Sequence, residues 1–252
     1  TSHCLGARNS QDARASSLAE SKSRRSPERL FSFSKGTAMA WLVPEGSRFL
    51  ISTTFAAATN VTAITNAASA VASATNTYAV GDELLFTSGW EDATDSIWKA
   101  SAATGSSVTL GGLDSTDTGF FPSGTGVGTL QKVSNWIELQ QPLTIDTSGG
   151  DAKFINVEPL NKRNSFQIPT GFNANQTRLT IGYDPTLPGY QAAVAASRTL
   201  KKVAFKFILS GGATVYSYGY ITASEAPRMT KGQVLSVEVA IASVGRMVSY
   251  AS

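Results

Sequence analysis

After residue 4 the chain contains neither histidine nor cysteine: His3 and Cys4 stand side by side and are the sole examples in 252 residues. The body therefore lacks the usual metal ligands, a thiol nucleophile and a side chain that moves protons near neutral pH. Carboxylates, lysines, tyrosines and hydroxyls are what remains for catalysis. A single cysteine also excludes an intramolecular disulfide framework, so packing must hold the fold. Long apolar runs are missing too. The charge-free stretch from Phe49 to Gly81 is Ala, Thr, Ser and Asn, with Asn60, Asn66 and Asn76 spaced through it, and reads as no membrane span. No secretory signal is visible, because the N-terminal residues have no apolar core region. These absences favour a structural or binding protein over an enzyme.

Basic charge is confined to one end. Residues 1–38 carry seven Lys or Arg against three Asp or Glu, whereas residues 39–252 carry 14 against 15. The pI near 9.0 thus belongs to the leader, and the nearly neutral body offers no footprint for nucleic acid or a membrane surface. The leader, residues 1–38, is rich in Ser and Arg and shows no sustained apolar period. It is expected to be disordered, because it buries too little to offset chain entropy. Asp12, Glu20 and Glu28 argue against a transit peptide, and residues upstream of a natural start at Met39 are the simpler reading.

The remaining 214 or so residues suffice for a core. From Val203 to Leu209 the odd positions are large and apolar while Lys202 and Lys206 occupy even ones, which predicts a strand with one buried face. Ser210-Gly211-Gly212-Ala213 predicts a tight turn, and Thr214 to Thr222 a second strand with Tyr216, Tyr218 and Tyr220 on one face. Val234 to Val244 alternates again through Leu235, Val237, Val239 and Ile241. Leu179, Ile181 and Tyr183 predict a further short strand. Between it and the hairpin one helix is expected, with Asp184 capping its start, Pro185 at its first position, and Leu187, Tyr190 and Val194 on one side.

Upstream, Trp41 to Phe55 predicts an opening strand, and Trp136 to Thr147 another. Residues 58–133 between them are rich in Gly, Ala, Ser and Thr and carry two Lys against seven Asp or Glu. They read as a small all-β module inserted into a parent sheet formed by residues 39–57 and 134–252. The expected fold is mainly β: an antiparallel β-sandwich or half-barrel with one flanking helix, plus the inserted module.

The order of features carries a resemblance. Met39-Ala40-Trp41-Leu42-Val43-Pro44-Glu45-Gly46, the strand after Trp136, Tyr183-Asp184-Pro185 leading into the helix, the hairpin Val203 to Tyr220, and the ending Val244-Gly245-Arg246-Met247-Val248-Ser249-Tyr250 resemble the lambda-like tail tube proteins of phages with long non-contractile tails. Within the insert, Ile64-Thr65-Asn66-Ala67, Val80-Gly81-Asp82-Glu83-Leu84-Leu85-Phe86, Leu113-Asp114 and Phe121 to Gly128 are similar to a small β-barrel module common in phage structural proteins. That module is also similar to the catalytic-cysteine half-domain of ubiquitin-activating enzymes, but no catalytic residue of the enzyme lies in it. Asn76-Thr77-Tyr78 stands where many copies carry an Ala-His-Gly turn.

The resemblance implies a virion tail component assembled in the host cytoplasm, needing no cofactor or metal. It implies hexameric rings of identical subunits stacked around a tape-measure protein, meeting terminator and tip proteins at the ends, and passing DNA without binding it specifically. It also places an inter-ring loop at Leu160-Asn161-Lys162-Arg163-Asn164-Ser165, where Lys162, Arg163 and Asn164 are the candidate contact residues. Lumen-facing positions are expected to be neutral or acidic, since Lys and Arg there would hold phosphate. The acidic insert is expected on the outer wall.

Two other readings start from the residues. Trp90, Trp98, Tyr216, Tyr218 and Tyr220 are the stacking rings a carbohydrate-binding β-sandwich would use. Glu91, Asp92 and Asp95 form the densest carboxylate cluster, the residue type of glycoside hydrolysis. They fall in an apparent turn, however, where acidic residues are ordinary, and a calcium-loop pattern is missing.

Overall fold

The computed structural model describes residues 45–251. The leader and the segment Met39 to Pro44 lie outside the described residues.

The chain is mainly β, its ladders all antiparallel, with one helix among the described residues. Strand β1 (Arg48–Ser52) is followed by β2 (Thr54–Phe55), β3 (Thr59–Val61), β4 (Ala63–Ile64), β5 (Val71–Ser73), β6 (Glu83–Ser88), β7 (Ser96–Thr104), β8 (Ser107–Leu110) and β9 (Gly128–Ser134). Then come β10 (Ile137–Glu138), β11 (Pro142–Ser148), β12 (Ala152–Val157), β13 (Phe166–Phe172), β14 (Gln176–Gly182), α1 (Pro188–Thr199), β15 (Lys202–Ile208), β16 (Thr214–Ala223), β17 (Ser236–Ser243) and β18 (Val248–Tyr250).

The first sheet runs β10-β1-β15-β16-β17-β14-β11, with β18 also paired to β16. Period-two alternation decides its two faces. On one, Phe49, Ile51, Val203, Phe205, Ile221, Val237, Val239, Ile241, Leu179 and Ile181 bury against Tyr190, Ala193 and Ala196 of α1. The second sheet runs β2-β9-β6-β7-β8-β5-β4, with β3 also on β9. Its own core gathers Leu84, Phe86, Trp90, Trp98, Leu110 and Leu130, and the Trp90 and Phe121 rings meet edge-on at 5.2 Å.

Several element boundaries differ from expectation for local reasons. The opening strand splits into β1 and β2 where the chain leaves one sheet for the other. Ser52, fully buried, donates to the carbonyl of Ser134, so the outgoing and returning crossings lie side by side. The strand expected from Trp136 to Thr147 is also two strands, β10 and β11, at opposite edges of the first sheet. Gln141 takes a φ of 57° between them, and Leu139 is buried as the chain passes across the sheet's end. The helix begins at Pro188 rather than Pro185. The Asp184 carboxylate instead accepts from the Thr186 amide at 2.9 Å and the Thr186 hydroxyl at 2.6 Å, closing a turn ahead of the helix. Leu187 is extended, as the residue before proline prefers, so the helix cannot start earlier. Leu209 and Leu235 fall just outside their strands.

The second sheet packs on the first sheet's other face. Leu85, Ile97 and Val133 meet Ala204 and Tyr216 there, with Phe55, Trp136, Tyr218 and Tyr250 at the margins. Polar contacts fix the junction. Glu83 accepts from Lys206 Nζ at 2.6 Å and from the Tyr216 hydroxyl at 2.5 Å. Burial, and then this hydrogen bond to a carboxylate, push the Tyr216 phenol far above its ordinary range, so it stays a donor. The Tyr250 hydroxyl accepts from the Lys99 amide and donates to the Gly111 carbonyl, both at 2.8 Å.

The Val-Gly-Arg ending has its physical reason at the same junction. A Cβ at Gly245 would overlap the carbonyl of Asp95, and the Arg246 carbonyl accepts from Ser96 Oγ at 3.2 Å. Gly245→Ala is expected to lower stability by about 1–3 kcal/mol, the usual cost of overpacking a contact that cannot give way. Urea unfolding measures it, and a loss below about 0.5 kcal/mol would show that the two backbones separate freely.

Candidate functional site

The unusual surface of this chain is apolar and stands away from both cores. Strands β12 and β13 form a hairpin paired only with each other. Across it Ile155 opposes Ile168 and Val157 opposes Phe166, while Phe154 opposes Pro169 and Ala152 opposes Phe172 on the other side. Both faces therefore carry apolar pairs, beside Lys153 on one and the Asn156–Gln167 pair on the other. Phe154 is 55% exposed, Ile155 57% and Phe172 76%. A two-stranded hairpin is marginal in water without a face to bury, so this one asks for a partner surface.

The hairpin continues the β11–β14 ladder. Ser148 pairs with Gln176 at the ladder's end, and pairing resumes with Gly150 N donating to Asn173 O at 3.1 Å and Asn173 N to Asp151 O at 2.8 Å. Between them Gly149 has a φ of 94°, and a Cβ there would overlap the Ala174 carbonyl. Glycine is what lets the ribbon turn at this point while its two strands stay in register.

At the base of the ribbon β11 is an open edge, with every residue exposed. Its Leu143 and Ile145 border a recess of about 800 Å³ shared with Phe49, Phe207, Val215 and Met247. Unpaired edge groups beside exposed apolar side chains form a template for another strand.

Lys162, Arg163 and Asn164 occupy the exposed tip between β12 and β13, where Lys162 N donates to the Pro159 carbonyl at 3.1 Å in a tight turn. Neither cation has an ion-pair partner among the described residues. The apolar flanks of this hairpin escaped the sequence reading. Ile155 and Val157, then Phe166 and Ile168, do alternate on either side of a polar turn, but alternation does not distinguish a face buried in the monomer from one left bare.

The proposed stacking rings are inside. Trp90, Trp98 and Tyr216 are at most 2% exposed, and the Trp90 indole donates to the Pro122 carbonyl at 2.9 Å. Tyr218 is half-buried at the sheet junction, which leaves Tyr220 as the open ring of the five. The carboxylates are not a matched pair either. Asp95 takes a φ of 52° and bonds Lys202 at 3.2 Å, while Glu91 and Asp92 are exposed in the turn. No helix among the described residues is long and apolar enough to cross a membrane.

The model of the phage tail tube protein family matches residues 88–252. The chain belongs to that family. It is a tail tube structural component, and the bare hairpin and open edge are surfaces such a component has reason to keep. No curated protein matches the chain. Among solved structures, the anti-feeding prophage cap, described as the AFP tube terminating cap, is similar over 42% of this chain and 79% of its own, at 14% identity and a TM-score of 0.29.

Proposed function

We propose that this tail tube chain is the self-assembling subunit of a lambda-like, non-contractile tail, forming hexameric rings that stack into the conduit for DNA. One observation carries the reading: the hairpin Ala152–Val157/Phe166–Phe172, with exposed apolar pairs on both faces and unpartnered among the described residues, extending from an open edge strand. Joining edges among identical copies satisfies the backbone groups and covers the apolar side chains together. Repetition around a ring turns modest contacts into a strong one. A tape-measure protein within the tube, terminator and tip proteins at its ends, and assembly in the host cytoplasm follow from this reading. So does treating the acidic residues 58–133 as an inserted module on a tube-forming parent.

Lys162, Arg163 and Asn164 at the hairpin tip are proposed to meet carboxylates of the adjacent ring. The purified protein, concentrated and viewed by negative-stain microscopy, is expected to form rings or tubes of uniform bore. The double variant Lys162→Glu, Arg163→Glu is expected to give folded subunits without tubes. Wild-type protein that stays monomeric under all assembly conditions would refute the tube reading, and tubes unchanged by the double variant would dismiss the tip contact alone.

A further inference from the structure

The first sheet's outer face is divided into a covered half and an open half. The second sheet covers Lys206, Ala204, Tyr216 and Tyr218, and its border is the Lys202–Asp95 ion pair at 3.2 Å. Beyond that border three rows of side chains stay open, defined by strand register. Ser148, Gln176, Ala242 and Tyr220 form the first row. Asp146, Arg178, Ala240 and Thr222 form the second, and Thr144, Thr180 and Glu238 the third.

Charge on this open half is balanced. Arg178 sits across the ladder from Asp146 and lies 3.8 Å from Glu238, which also holds Arg228 at 2.5 Å. Everything else in the three rows is uncharged, and Lys202, the register partner of Tyr220 at the border, is held by Asp95. A duplex carries a phosphate charge about every 1.7 Å of its axis, and each unpaired Lys or Arg it passes would exchange counterions with it and add drag. Arg178 in these rows and Arg228 beside them are each already answered by a carboxylate. The covered half cannot face a bore, because a whole sheet is packed on it through Glu83, Lys206 and Tyr216.

Resting on the tube reading, we propose that the open half of this face, centred on Arg178, Ala240 and Thr222, lines the lumen as a non-adhesive wall for passing DNA. The second sheet then stands on the outside of the tube. The β11–β14 ribbon that carries the free hairpin belongs to the lumenal wall.

Cysteine scanning tests the assignment in a Cys4→Ser background. Thr222→Cys and Ala240→Cys mark the open rows, and Val80→Cys, 69% exposed on the second sheet's side, marks the outside. Assembled tubes are treated with a small maleimide and, separately, with one carried on a polymer too large to enter the bore. Thr222→Cys and Ala240→Cys are expected to react with the small reagent but to react with the polymer more than an order of magnitude more slowly than in unassembled subunits, while Val80→Cys reacts with both. Reaction of the open-row thiols with both reagents in tubes would place them outside, and protection from both would place them in a subunit interface; either result overturns the assignment while leaving the tube intact. Failure of the background protein to form tubes at all would instead overturn the reading beneath it.

Discussion

Replacing Ile155, Phe166 and Ile168 together by serine is expected to leave a folded subunit that no longer assembles. In the single chain these side chains are about half exposed and belong to neither core, so the monomer loses little; exposed substitutions usually change stability within about 0.5 kcal/mol each. In a tube the same groups would be covered. Fully burying a side chain of this size contributes about 1.5–3 kcal/mol, and the contribution recurs at every copy. The asymmetry between the two states makes the prediction sharp. Sedimentation velocity reads assembly, and circular dichroism with urea unfolding reads the fold. Tubes at wild-type concentration would remove the hairpin from the interface, and a large fall in monomer stability would show that the hairpin packs on its own chain.

The second large effect belongs to the sheet junction. Glu83→Ala leaves Lys206, whose side chain is 19% exposed, without its anion, and takes the acceptor from the Tyr216 hydroxyl. Removing one partner of a buried pair costs about 3–5 kcal/mol because the remaining charge is uncompensated. The opening left at the Lys206 head group argues for the lower end of that range. The triple variant Glu83→Leu, Lys206→Met, Tyr216→Phe is expected to recover most of the loss, since all three polar groups of the contact then leave together. Urea unfolding of wild type, Glu83→Ala and the triple variant makes the comparison. A Glu83→Ala cost below about 1 kcal/mol would mean that water or another group reaches Lys206, and the junction would then rest on packing alone.

Legibility followed periodicity. The alternation of Val203, Phe205 and Phe207, and of Val237, Val239 and Ile241, was readable because one face of each strand packs against α1 with large apolar residues while the other carries polar or small ones, among them Lys202, Ala204, Lys206, Glu238 and Ala240. The helix was readable from Tyr190 to Ala196, yet its start was not. By local rules Asp184 and Pro185 are the better start, since Leu187 offers no side-chain cap ahead of Pro188, and the Thr186 turn decided against them. The break at Gln141 was hidden because Leu139, Leu143 and Ile145 keep an apolar rhythm across a bend. At the candidate site, Lys162, Arg163 and Asn164 were located as an exposed polar turn. The apolar flanks that make that turn the tip of a free hairpin were not.

Fold class was legible in the order of residues: many alternating apolar positions with few charges between them specify sheet packing. Strand direction and hairpin turns are local, so they too were present in the order of residues. Which faces meet is another matter, because it depends on pairing between positions far apart in the chain. Tertiary structure put Glu83 on Lys206 and Tyr216, drew Trp90, Trp98 and Tyr216 inside, and left Phe154, Ile155 and Phe172 bare. The same alternating pattern serves a buried face and a bare one, and the register of the whole sheet settles the choice.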